Sequence, residues 1–472
     1  MRKHLSKLLA LTLCFCLLLS GGILSSGALP AAVTDEAWDA IWADINTTQS
    51  NIAAAPGSNP TERNFAWQSG KSGKPTVVLA QNEALENAVV FTGTQAQSIL
   101  TKVYTNYVTV KDLAPNTTYY YKCVDAQKES PVYSFTTQGT DAFKAILFSD
   151  IHIKDDESAT PKGTARVWND VLETVIAREG EPAFLMSAGD NANYGLVSEY
   201  LGLYAPPVLK SIPLATTIGN HDKKEFNYRF YQNNPNPYKS IAGSLTGDEY
   251  WYRYGDALFL VMDTTSGSAI DHQNFVKKAC EANPDAKWRI VMYHHDLHAS
   301  PYSKTGEDNI LRLMFDPIMY LYDIDMVFSG HSHLYVRSHQ LEAGEIVQDT
   351  TGLKELKDPK GTTYIGSSSI NHVAGTDAVN DNPEAVVSYF EREMLYNVIS
   401  MDSSKLSVKV CRVSDGEAVD EITIEKSPEN MPKTIERDIV DTYTVVEMLT
   451  LIYAGIDRIV RLADIISRLF AA

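Results

Sequence analysis

Five short apolar runs in this 472-residue chain each stop at side chains that can bind a metal. Ala145 to Phe148 lead into Asp150 and His152, Ala183 to Met186 into Asp190, and Leu214 to Ile218 into Asn220, His221 and Asp222. Ile290 to Tyr293 lead into His294 and His295, and Met326 to Phe328 into His331 and His333. Runs of this length, bounded by turn residues, read as buried strands. Polar groups just past their carboxyl ends lie on the edge where open α/β sheets build their sites. A single block, "GHSH" included, is what a chance loop also looks like. Five in order are not, and six of the ten histidines after His4 fall within them.

The residue types narrow the chemistry. Imidazole, carboxylate and a neutral amide oxygen together suit Zn, Fe or Mn. An aspartate can bridge two ions with its two oxygens, holding them about 3.5 to 4 Å apart, as two-metal hydrolytic sites require. No thiolate occurs in any of the five blocks, which argues against a structural zinc site.

The rest of the chain divides by pattern. A basic start at Arg2, Lys3, His4 and Lys7, the apolar stretch Leu8 to Leu19 and small residues up to Ala28 read as an export signal over 1–28. Trp38, Ile41, Trp42 and Ile45 then recur at helical spacing. Short runs rich in Val, Thr and Tyr, separated by Gly, Asn and Pro, fill the stretch from Asn64 to about Thr137 and predict an all-β sandwich. After Asp141, apolar runs alternate with amphipathic segments such as Thr164 to Glu179 and Gly306 to Tyr322, which predicts an α/β domain. Extended segments "KLSVKVCRV" and "EITIEK" flank a turn at Asp415-Gly416. From Thr442 to Phe470 an apolar stripe opposes Asp457, Arg461, Asp464 and Arg468, the pattern of an amphipathic helix. Such a helix docks on its own body, self-associates or lies on a membrane surface; its uncharged run is too short to span a bilayer.

The ordered blocks DxH, GD, GNHD, a strand-end His and GHxH resemble the calcineurin-like metallophosphoesterases. Leu113 to Tyr121, "LAPNTTYYY", resembles the tyrosine-corner strand of a fibronectin type III domain. Together they resemble the purple acid phosphatase branch. The patterns above give a signal peptide (1–28) and a helical segment (29–52); the resemblance implies a fibronectin type III-like N-terminal domain (53–138) and a metallophosphoesterase domain of two mixed sheets flanked by helices (141–427). A linker (428–441) and a C-terminal helix (442–472) follow. It implies that Asp150, His152, Asp190 and His333 hold one metal, and that Asp190, Asn220, His294 and His331 hold a second, the ions being Fe, Zn or Mn. It implies further that His221, oriented by Asp222, lies beside the substrate as a general acid. His298 falls where relatives often place a substrate contact, and His295 reads as a supporting or packing residue. The purple enzymes have glycine where His152 stands, and a tyrosine ligand where Asn193 stands, with Tyr194 one step later. Without a phenolate the iron colour is expected to be absent, and the site resembles the non-purple type.

The activity so implied is hydrolysis of small phosphate monoesters outside the cytoplasm, by a secreted or surface protein. A phosphodiesterase or nucleotidase on the same cage is the alternative, and a non-catalytic surface-binding protein a more distant one. Lys plus Arg number 41 against 59 Asp plus Glu, so the formal charge of −18 repels a nucleic-acid backbone. Loss of the signal takes away Arg2, Lys3 and Lys7 and no acid, moving it to −21. Three cysteines then remain, Cys123, Cys280 and Cys411, enough for one disulfide at most.

Overall fold

A computed structural model describes residues 33–48, 51–98, 102–154, 163–239, 249–303, 306–371 and 380–434. The expected signal at 1–28 and C-terminal helix at 442–472 lie outside the described residues.

The Val/Thr/Tyr-rich stretch forms two four-stranded sheets. One runs in the order Ala53–Pro56, Arg63–Ser69, Tyr104–Val110, Thr94–Gln97, and the other Val89–Thr92, Thr76–Ala80, Thr118–Val124, Tyr133–Thr136. Alternation sets the inner face: Tyr119, Tyr121 and Cys123 of Thr118–Val124 turn inward against Phe65, Trp67 and Phe135. The Ala114 N–H donates to the Tyr119 hydroxyl at 2.9 Å, tying the strand to the loop before it.

The following domain has two mixed sheets packed face to face. The first is ordered Leu214–Thr216, Phe184–Ser187, Ala142–Phe148, Leu395–Asp402, Lys405–Arg412, Ala418–Glu425, Glu355–Lys357. The second is ordered Tyr250–Tyr254, Ala257–Val261, Trp288–Met292, Met326–Ser329, Thr362–Gly366, Tyr335–Glu342, Glu345–Gln348, with Ala385–Tyr389 beside Tyr335–Glu342. Their shared core includes Leu147, Met186, Phe259, Ile290, Phe328 and Val408. Helices Thr164–Glu179 and Val197–Leu203 cover the outside of the first sheet. Ala269–Ala282 and Gly306–Leu321 cover the second. Trp168, fully buried, meets Phe148 edge to face at 5.0 Å, two residues before Asp150. Cutting it to alanine would cost about 3 to 5 kcal/mol.

The strands at 142–148, 184–187 and 214–216 are mutually parallel, as are those at 257–261, 288–292, 326–329 and 362–366. Parallel neighbours end on the same edge of their sheet, and because the two sheets pack against each other the three turns of the first meet the two of the second. Cys123, Cys280 and Cys411 are buried and unbridged. The N-terminal helix, Asp35–Thr48, packs Trp38 and Ile45 on the core of this two-sheet domain. The sandwich fastens to the same domain through side-chain donors on main-chain carbonyls: Arg63 to Ser211 O (2.7 Å), Asn64 to Asn233 O (2.7 Å) and Gln68 to Phe230 O (2.9 Å). No helix among the described residues is long and apolar enough to cross a membrane.

Candidate metal centre

Each turn at the sheet edge must reverse within one or two residues while aiming a side chain inward. The backbone does so in the left-handed region at Asp150 (φ 48°), His152 (47°), Asp190 (48°), His331 (70°) and His333 (59°). Non-glycine residues rarely adopt this conformation, and such strain collects at functional sites. Close approach needs glycine at two neighbours. A Cβ on Gly219 would fall on Asp190 Oδ1, and one on Gly330 on Ser149 Oγ and Asp150 Oδ2.

Two groups of donors result. In the first, His333 Nε2 lies 3.2 Å from Asp150 Oδ1 and 3.2 Å from His152 Nε2, and His152 Nε2 lies 3.6 Å from Asp190 Oδ2. In the second, His294 Nε2 is 3.3 Å from Asp190 Oδ2, 2.9 Å from Asn220 Oδ1 and 3.3 Å from His331 Nδ1. His331 Nδ1 is 3.1 Å from the same Asn220 oxygen. These spacings suit donors around a shared ion at the bond lengths of imidazole and carboxylate. Asp190 Oδ2 belongs to both groups. Its Oδ1 accepts the His221 backbone N–H at 2.8 Å, which fixes the orientation of the carboxylate. The seven residues expected as ligands therefore all converge, and the donor set fits a pair of borderline metal ions.

The electrostatics agree. Burial alone would raise Asp190 and Asp150, yet the surrounding histidines hold Asp190 down to about 2 and Asp150 below the usual carboxylate range. Burial pushes His152 and His331 down to about 4, leaving neutral imidazoles. His294 moves the other way, to about 9, because Asp190 and Asp150 outweigh its burial. Without an ion its proton stands in for positive charge between the carboxylates. His294 Nδ1–H donates to Ala188 O at 3.0 Å, which turns Nε2 toward the centre.

Two expectations need correction. Asp222 does not touch His221: its buried carboxylate accepts from the backbone N–H groups of Gly219, Asn191 and Ala192, the Asn191 amide and the Tyr200 hydroxyl, at 2.9 to 3.1 Å. It clasps the turns that carry Asp190 and Asn220. His221 is held from another side, its Nδ1–H donating to Asn193 O at 2.7 Å, with Nε2 4.0 Å from Asp190 Oδ2. His298 faces no substrate space: it is 1% exposed, with Nδ1 donating to Glu384 (3.0 Å) and Nε2 to Asp316 (2.8 Å). His295 is buried, paired with Thr264 at 2.7 Å and packed on the His331 ring at 4.5 Å. Tyr335 and Arg337 both bind Asp420.

Three features were not foreseen. Asn193 contributes a carbonyl, which carries no side-chain signal. Lys224 donates to the same carbonyl at 3.1 Å and approaches His221 Nδ1 at 2.9 Å. Asp296, two residues after His294, accepts from Ser332 at 2.7 Å. An acid so close to a histidine expected as a ligand is the signal that could have found it.

Comparison with known proteins gives concordant matches. The calcineurin-like phosphoesterase family matches residues 143–335, and the purple acid phosphatase N-terminal domain matches residues 49–137. The chain is 25% identical to purple acid phosphatase 1 of Ipomoea batatas over 355 residues, covering 67% of this chain and 71% of that one. It is 26% identical over 193 residues to an Arabidopsis thaliana protein named Fe(3+)-Zn(2+) purple acid phosphatase 12, covering 36% and 39%. The fold resembles that of a purple acid phosphatase from yellow lupin (Lupinus luteus) seeds, with a TM-score of 0.66 at 16% identity, over 83% and 77% of the two chains.

Proposed function

Because this chain is a calcineurin-like metallophosphoesterase behind a purple acid phosphatase N-terminal domain, we propose that it hydrolyses phosphate monoesters at a dinuclear centre. The observation that carries this reading is the single oxygen, Asp190 Oδ2, facing both donor groups. Asp150, His152, Asp190 and His333 would hold one ion, and Asp190, Asn220, His294 and His331 the other. When bound, such a pair supplies a hydroxide-generating Lewis acid and neutralises the phosphoryl oxygens. The relative named for Fe(3+) and Zn(2+), together with the N/O donor set, supports Fe, Zn or Mn as occupants.

His221 is the proton donor in this reading. Its Nδ1–H is committed to Asn193 O, so the proton available to a leaving oxygen is at Nε2, on the side of the centre. Asp222 fixes the two turns that carry Asp190 and Asn220, beside which His221 sits. His152 replaces the phenolate of the purple enzymes, and Tyr194, 54% exposed, lies over Lys224 instead.

The N-terminal domain is read as fibronectin type III-like on the strength of its two-sheet order and the Ala114–Tyr119 hydrogen bond. The boundaries 53–138 and 141–427 follow the pattern change near Asp141. Export through the 1–28 segment would make this a secreted or surface enzyme acting on small phosphate esters.

Hydrolysis of p-nitrophenyl phosphate against bis-p-nitrophenyl phosphate by mature protein, stripped and reloaded with Mn, Zn or Fe, tests the proposal. Monoester turnover that collapses in Asn220→Ala supports it. Diester preference makes the chain a phosphodiesterase, and no turnover by folded, loaded protein leaves a binding protein.

A further inference from the structure

We propose that Asp296 is a positioning residue for both halves of the metal centre, acting through Ser332. Ser332 stands between His331 and His333, which belong to different donor groups. Both histidines have left-handed backbone, at φ 70° and 59°, so this three-residue turn is strained where it must hold two side chains at once. Strain persists only where surrounding contacts over-determine it. Asp150 holds the main chain, accepting the His331 N–H at 3.0 Å, and Ser332 supplies the side-chain contact, its hydroxyl donating to Asp296 Oδ2 at 2.7 Å. Asp296 itself is anchored: it is 4% exposed and follows His294 by two residues. Gly366 presses on the other side, since a Cβ there would come within 2.8 Å of the same oxygen.

Two hydrogen bonds thus join the strand-end turn carrying His294 to the turn carrying His331 and His333: the Gly330 N–H to His294 O at 2.9 Å, which is main chain only, and the Ser332 hydroxyl to Asp296, which is the side-chain link. That link joins residues 36 apart in sequence. Asp296 touches neither metal position directly, and its effect runs through the two histidines. Apart from their backbone, the turn's other internal bond is Ser332 N–H to Gly330 O at 2.8 Å, which closes the loop without aiming either ring.

This inference rests on the dinuclear reading above, and its test reads metal binding rather than turnover. Chelator-stripped protein is titrated with Zn2+ against a chromogenic chelator, for wild type, Ser332→Ala, Asp296→Ala, Asp296→Asn and the Ser332→Ala/Asp296→Ala pair. Wild type is expected to bind two equivalents. Ser332→Ala and Asp296→Ala are each expected to weaken binding by about tenfold or more, as loss of a group orienting a ligand histidine does. The double variant should be no weaker than either single one, because both cut the same link. Asp296→Asn keeps an oxygen that can accept from Ser332 and should recover most of the affinity. A purely structural role would lower the melting temperature of the apo-protein without this pattern. Ser332→Ala removes one half-exposed hydroxyl and leaves the core intact, so it decides the matter even if Asp296→Ala does not fold. Wild-type affinity in Ser332→Ala, or losses that simply add, would overturn the inference while leaving the dinuclear reading standing. Fewer than two equivalents in wild type would overturn both.

Discussion

His152 Nε2 and His333 Nε2 stand 3.2 Å apart, with Asp150 Oδ1 3.2 Å from the second of them. Two imidazole nitrogens held this close need a cation or a proton between them. Stripping the protein with a chelator is therefore expected to lower its melting temperature by several degrees, and stoichiometric Zn2+ or Mn2+ to restore it, by the linkage between native-state binding and stability. Scanning calorimetry of the two forms checks this. Identical melting would mean that the cluster is stable as a hydrogen-bonded network alone.

His221 and Asp222 are adjacent in sequence and separate in role. His221→Asn is expected to cut kcat by about 10²- to 10⁴-fold, the usual worth of a general acid, with metal content unchanged. The loss should be smaller for p-nitrophenyl phosphate than for an alkyl phosphate, whose leaving oxygen needs the proton more. Asp222→Ala should instead strand several buried donors, each costing about 1 to 3 kcal/mol, and lower stability before anything else. Kinetics on both esters and denaturant melts of both variants separate the two roles. Equal kcat losses on the two esters in His221→Asn would count against proton donation.

The buried His298 ties stability to pH. Asp316 and Glu384 overcome the effect of burial and lift His298 from 6.5 to about 9. A raised folded value means that its stabilisation is complete below pH 6.5 and is lost as pH rises through 9, up to about 3 kcal/mol in all. His298→Asn is expected to be less stable than wild type at pH 6 and to converge on it near pH 10. Urea melts across that range check the sign. His272, raised by Glu249 in the same direction, remains in both proteins and cancels in the difference.

Ferric loading should leave the protein without an intense visible band. Asn193 occupies the third position after Asp190, and the Tyr194 ring lies 5.0 Å from Lys224 Nζ. An absorption spectrum with a phenolate-to-iron band, lost in Tyr194→Phe, would mean that the turn rearranges around iron.

Much of this site was legible because parallel strands convert sequence order into proximity. Parallel pairing brings the ends of three runs together in the first sheet and of two in the second, and the face-to-face packing of the sheets brings Asp150, His152, Asp190, Asn220, His294, His331 and His333 to one place. What escaped was whatever depended on the direction of a turn or on a partner far away. Asp222 follows His221 directly, but the turn sends its carboxylate back to Gly219 N. His298 is claimed by Asp316 and Glu384, 18 and 86 residues away, whose approach no local pattern announces. The carbonyl of Asn193 belongs to the backbone and has no residue-type signature. The N-terminal helix was legible as a helix from Trp38 and Ile45, while its docking on the phosphoesterase-side core depended on the fold of that domain.

The most direct test is to titrate metal-stripped mature protein with Zn2+ or Mn2+ while following p-nitrophenyl phosphate turnover, alongside Asp190→Ala. The dinuclear account expects no activity in the stripped protein, full activity only as the second equivalent binds, and neither stoichiometric binding nor turnover in the variant. Full turnover without metal, or an Asp190→Ala protein that binds two ions and works normally, would contradict it.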